Sequence, residues 1–173
     1  MALTSAQLTT LKNDILADPV LNAFPNNSDG AFAIAAIYNQ DASPDFWVWR
    51  TAVTKHELVS KTSRTGSVFV WAGNGFIGRT AGEQQCWGEL FNSTLTCNPS
   101  LANVRQAFLD IFSGTGNAAA NRAHCDAVAR RKATRAEKLF ATGNGADTAA
   151  NAGTLTFEGA LNFNDVDQAR NLP

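Results

Sequence analysis

Charge is scarce in this sequence. Of 173 residues, 17% are Asp, Glu, Lys or Arg, against about 25% in an average soluble chain, and the formal net charge is −1. A balance so near zero gives no global attraction to nucleic acid or to a membrane surface. The surface must be covered instead by Asn, Thr, Ser, Gln, Gly and Ala, which suits burial against neighbouring subunits. No run of about 20 apolar residues occurs, so no bilayer-spanning helix is expected. The N-terminus has no basic region ahead of an apolar stretch, so no secretory signal is expected. Cysteine is limited to Cys86, Cys97 and Cys125. An odd number at wide spacing argues against a disulfide framework and for a reducing cytosol as the place of synthesis.

These shortages narrow the chemistry. A hydrolase triad needs a nucleophile, a base and an orienting carboxylate, but only His56 and His124 are present and no G-x-S-x-G turn occurs. The acids Asp14, Asp18, Asp29, Asp41 and Asp45 are scattered, several where turns and helix caps want them. Structural zinc sites grip the metal with ligands a few residues apart. Here the only close pair is His124-Cys125, and adjacent helical residues point about 100° apart. Buried thiols and a solvent-facing histidine are expected instead. Gly73-Asn74-Gly75-Phe76-Ile77-Gly78 is a literal G-x-G-x-x-G, the pattern that lets a backbone approach a pyrophosphate. The acid expected about 20 residues later is missing, since residues 90–109 contain no Asp or Glu. The glycines are read as a hairpin or loop. No enzyme activity, catalytic residue, cofactor or metal ligand is assigned.

The length fits one domain with a real core. Ser5 followed by Leu8, Leu11, Ile15 and Leu16 predicts an amphipathic helix stopped by Asp18-Pro19. Ser28 should cap a second helix carrying Ile34, Ile37 and Tyr38. Ser43-Pro44 should start a third, with Phe46, Trp47, Val48, Trp49 and Val53. Residues 67–71, bounded by glycines, read as a strand or hairpin arm. Helical spacing returns at Trp87, Leu90 and Phe91. Asn98-Pro99 opens the clearest helix, with Leu101, Val104, Phe108, Ile111 and Phe112 on one stripe and Gly114 closing it. An Ala-rich helix over 118–129 and a basic helix capped by Thr134 follow. Residues 143–153 form a loop of small residues, Leu155 and Phe157 alternate as in a short strand, and Asn164-Asp165 caps a last turn. The expected fold is mainly α: a compact helical domain over 1–142 with a short β-hairpin around 62–82, then a flexible loop and extended C-terminal arm over 143–173.

Two regions are candidates for interaction. Arg130, Arg131, Lys132, Arg135 and Lys138 gather five cations within nine residues. Their targets are phosphates, solvent and the chain's own acids, or an acidic patch on a neighbouring subunit. Phe69, Trp71 and Phe76 flank the glycine loop, where exposed aromatics favour an interface. Core packing is the competing role for most of the aromatic-rich middle third.

Three pieces of the chain resemble a known family. They are Leu8-Thr9-Thr10-Leu11-Lys12 with Asp18-Pro19, then Ala42-Ser43-Pro44 with Val48-Trp49-Arg50-Thr51, and most specifically residues 131–143 with Phe157-Glu158-Gly159. Asn98-Pro99-Ser100 with Asn103-Val104-Arg105-Gln106 fits the same pattern, while residues 55–95 depart from it. Together these are similar to small proteins of the structural gene modules of tailed bacteriophages and their prophages. The resemblance implies a virion protein, made in the host cytoplasm and carrying no enzymatic residues. Within that class the expectation is a head-to-tail connector, an adaptor or neck subunit in a homo-oligomeric ring at the portal vertex, with a dodecamer expected. Its partners would be the portal protein and other head–tail or tail proteins, near packaged DNA but without sequence-specific binding. The basic helix and the strand at Leu155 and Phe157 would dock on the portal or the next subunit, so deletion beyond Gly143 should leave a folded domain that no longer assembles. The alternatives are a minor tail or capsid-decorating protein, or a nucleic-acid-binding accessory protein.

Overall fold

The structure, a computed structural model, describes residues 2–92 and 94–173. In chain order the elements are α1 (Ser5–Ala17), α2 (Pro19–Asn22), α3 (Ser28–Tyr38), β1 (Trp47–Trp49), β2 (Val53–Thr54), α4 (Lys55–Ser60), α5 (Ala81–Glu89), β3 (Thr96–Cys97), α6 (Ala102–Ile111), α7 (Asn117–Val128), β4 (Arg130–Lys132), α8 (Arg135–Phe140) and α9 (Phe163–Arg170). A single 3-10 turn, Gly73–Gly75, lies between α4 and α5. The fold is mainly α, as the sequence implies. Its sheets are two-stranded: β1 with β4, and β2 antiparallel to β3 with Val53 opposite Cys97.

Helix starts are set by short polar side chains. At Thr4/Gln7, Thr54/Glu57, Thr80/Glu83, Thr134/Glu137 and Asn162/Asp165 the cap side chain accepts the backbone N–H three residues on, and that residue's side chain accepts the cap N–H. Two of the orphan donors at a helix start are thereby satisfied. Asp18 ends α1 and caps α2, accepting from the N–H groups of Val20 and Leu21.

The chain divides into two compact units. Unit 1 comprises residues 2–47, 132–146 and 153–173. Its core takes Leu11 and Ile15 from α1, Ile34 and Tyr38 from α3, Ala136 and Phe140 from α8, Phe157 and Leu161 from the following loop, and Val166 and Ala169 from α9. The expected extended arm over 143–173 is therefore replaced by packed chain. The apolar residues Phe157, Leu161, Val166 and Ala169 are each at most 5% exposed, and their burial is worth more than the entropy of a free tail.

Unit 2 comprises residues 48–131 and 147–152. Its core is aromatic, with Trp49, Phe69, Trp87, Phe91, Phe108 and Phe112 packed around Leu58 and Cys125. Phe69 lies at its centre, with ring centroids 4.9 Å from Trp71, 5.8 Å from Trp87 and 5.8 Å from Phe112.

Three expected elements take a different form. The third helix over 44–53 is the strand β1, where the aromatic and β-branched run Trp47-Val48-Trp49 follows its β propensity. The hairpin around 62–82 is an irregular loop. Asn121 of α7 does there what a partner strand would do, accepting the Val70 N–H at 2.7 Å and donating to the Val70 carbonyl at 2.8 Å and the Gly75 carbonyl at 3.0 Å. The continuous basic helix is split: Arg130, Arg131 and Lys132 belong to β4, and only Arg135 and Lys138 lie on α8, which Thr134 caps as expected.

Candidate functional site

The most specific sequence motif becomes, in the structure, the organiser of unit 1. Thr134 and Glu137 cap α8 reciprocally, at 3.1 and 3.2 Å. Glu137 is buried, and its Oε1 also accepts the Gly159 N–H at 3.2 Å. Gly159 has φ +124°, a conformation open to glycine and costly to other residues. Phe140 meets Phe157 edge-on at 5.4 Å. Thr134, Glu137, Phe140, Phe157 and Gly159 thus tie the start of α8 to the turn that leads into α9.

Arg135 stands beside this latch. Its guanidinium donates to Asp14 Oδ2 at 3.2 Å and Asp18 Oδ2 at 2.9 Å, and lies 4.8 Å from the Tyr38 ring centroid. The Tyr38 hydroxyl donates to Asp14 Oδ2 at 2.5 Å. Asp14 and Asp18 are four apart, a like-charge spacing that repels along one helical face unless a cation sits between. That spacing is the signal that sequence reading missed. The hydrogen bond from Arg135 holds the Asp18 carboxyl below its usual range. Burial pushes the Tyr38 hydroxyl up, and the bond to Asp14 adds to it. Burial pulls Arg135 down, but the bonds to Asp18 and Asp14 outweigh it and raise it. All three groups are driven away from neutrality, so they offer fixed charge and fixed donors rather than a proton-transfer group matched to neutral pH.

These side chains line a cleft of about 660 Å³ with Gln40, Asp41 and Lys138. It is the largest of the described clefts and the candidate site of unit 1. Lys138 reaches the Pro44 carbonyl at 3.3 Å. Nearby, Lys132 pairs with Asp45 at 2.8 Å and lies 5.9 Å from the Trp47 ring centroid.

The remaining candidates fall in unit 2 or are taken into the fold. Arg130 has a side chain only 8% exposed and pairs with Asp147, which also binds Arg64. Arg130 also sits 5.2 Å from the centroid of Trp49. Leu155 is half-buried and Phe157 buried. Phe69 is core, Phe76 half-buried, and Trp71 stays 45% exposed, with Val68 and Ile77 exposed on the same loop. The glycines there serve the chain's own turn. A Cβ on Gly75 would stand 2.3 Å from the Val70 carbonyl oxygen, and one on Gly78 would stand 2.7 Å from that of Gly73.

His124, expected to face solvent, is fully buried. Its Nε2 lies 2.8 Å from the Leu58 carbonyl and its Nδ1 3.0 Å from Ser67 Oγ. A carbonyl only accepts, so Nε2 carries the proton and Nδ1 accepts from the serine. This is a Ser–His contact with a backbone carbonyl where a triad has a carboxylate, and a neutral carbonyl lacks the charge that stabilises an imidazolium. Cys97 and Cys125 are buried thiols, Cys97 pushed up by burial to about 12. Among the described residues no three His, Cys, Asp or Glu side chains gather at metal-binding distance.

Compared with known proteins, the chain matches no family model, no curated protein and no solved structure at a significant level.

Proposed function

We propose that this chain is a virion structural protein of a tailed bacteriophage, acting as a head-to-tail connector subunit in a ring at the portal vertex. The virion assignment rests on the sequence resemblance. The structural observation that supports assembly is the pairing of spent charge with exposed apolar side chains. Arg130, Lys132 and Arg135 each have a carboxylate partner within the chain. Large apolar residues remain open in both units, with Val20 65%, Phe32 56%, Ile77 71% and Leu95 77% exposed. Apolar surface of this kind marks contact sites when it gathers into patches, and a ring needs two different faces on each subunit.

The same pairing weighs against the nucleic-acid reading, because guanidinium groups already bound to carboxylates release no counterions on meeting phosphate. Quantitative mass spectrometry of purified virions tests the proposal by counting this chain against the major capsid protein. About a dozen copies per particle is the result expected of a closed connector ring. Hundreds would assign it to decoration or to the tail tube. Absence from the particle overturns the structural reading.

A further inference from the structure

Unit 2 carries a second cleft, of about 420 Å³, between α6 and α7. On α6 it is lined by Ala102, Arg105, Gln106 and Leu109, spaced i, i+3, i+4 and i+7 and so on one face. Arg122 and Asp126 of α7 complete it. Both arginines are held in place. Arg105 Nη1 donates to the carbonyls of Pro99 at 2.8 Å and Ser100 at 2.7 Å, with its guanidinium 5.0 Å from the Trp49 ring centroid. Arg122 Nη1 donates to the Phe112 carbonyl at 2.8 Å. Neither is ion-paired among the described residues, in contrast to Arg50, Arg64, Arg79, Arg130 and Arg135. Asp126 also makes no ion pair there. Burial holds its carboxyl up against the opposing pull of Arg130, Arg122 and Arg105.

From this arrangement we infer that the α6–α7 cleft docks an acidic, partly apolar segment of a partner protein, whose carboxylate is received by Arg105 and Arg122. A guanidinium fork matches a carboxylate in shape and charge. The positions are fixed before binding, which lowers the ordering cost. Leu109, 46% exposed, and Ala102 supply an apolar wall beside the charges. A nucleic acid strand fits less well, since it presents a row of phosphates to only two cations with Asp126 among them. The inference deepens the assembly reading, resting on it only for the source of the segment, a neighbouring particle protein.

The test is selection of a random-peptide display library on the purified full-length chain. The expected winners carry Asp or Glu beside Leu, Ile or Val. A synthetic winner should bind about tenfold or more weakly to the Arg105→Gln/Arg122→Gln double variant. Because that variant also loses carbonyl anchors, Ala102→Glu serves as an independent probe. It adds a repelling charge at an exposed first-turn position that favours acids, and it should weaken the same peptide, whereas Asp126→Asn should tighten it. No enrichment, enrichment of basic peptides, or winners indifferent to these variants would overturn the inference. A single-stranded oligonucleotide that binds at physiological salt and is lost in the double variant would overturn it in favour of nucleic acid. Failure of the virion reading would appear in the copy number and leave this result unaffected.

Discussion

Glu57 shows how one side chain sets a local pH dependence. Burial pushes its carboxyl up, but hydrogen bonds from Lys61, the Thr54 N–H and Arg50 together bring it down from 4.5 to about 2. The folded value lies below the unfolded one, so the stabilisation is complete above about 4.5 and is lost as pH falls toward 2. Glu57→Gln should cost about 1–2 kcal/mol near neutral pH, through the weakened capping box and the lost ion pairs. Urea midpoints taken near neutrality and at about pH 3 should fall further in the parent than in the variant. Equal losses would remove Glu57 from the acid response. Glycine positions give an opposed pair of outcomes. Gly145 has φ +70°, and a Cβ there would stand 2.1 Å from the Phe46 ring. Gly145→Ala should therefore cost about 2 kcal/mol or more. Gly88 lies within α5 with nothing within 4 Å of its Cβ position, and Gly88→Ala should stabilise by about 0.5–1 kcal/mol. The same urea titrations read both.

At the scale of elements, local chemistry decided what could be foreseen. The first helix ends at Asp18-Pro19 as its sequence implies, and the cap by Thr134 is equally local. The basic helix failed because Arg130, Arg131 and Lys132 carry no hydrophobic period to distinguish helix from strand, and β4 forms only by pairing with a distant strand. The loop over 67–79 misled for a related reason. Its composition suits a strand, but Asn121, some 50 positions away in the chain, supplies the hydrogen bonds that a partner strand would. Asn121 is fully buried, so Asn121→Ala leaves Val70 and Gly75 backbone groups unsatisfied at a cost of about 1–3 kcal/mol. Amide hydrogen exchange should speed up at Val70 more than in α1. Protection unchanged at Val70 would mean that another group holds the loop.

For the whole molecule, the order of segments matters more than any single contact. Unit 1 is built from three stretches of sequence and closed by the last of them. Reading along the chain, the small residues over 143–153 suggested a tether, and what followed looked like an arm. The signal against that reading was present in Phe157, Leu161, Val166 and Ala169, apolar residues too many for a free tail. Their destination lies on α1, α3 and α8, which no local pattern reveals. The site shared this limit: Arg135 was legible as a cation of interest, whereas Asp14, Asp18 and Tyr38 are more than 90 positions from it. Deletion of residues 160–173 removes Leu161, Val166 and Ala169 together, and Leu161 and Val166 alone are worth about 1.5–3 kcal/mol each. A loss of that size is comparable to the stability of a small compact unit. The shortened chain should therefore lose the protection of α1 and α3 in limited proteolysis while α5–α7 stay resistant. If α1 and α3 remain as protected as in the full chain, the C-terminal residues are an arm after all, and unit 1 closes without them.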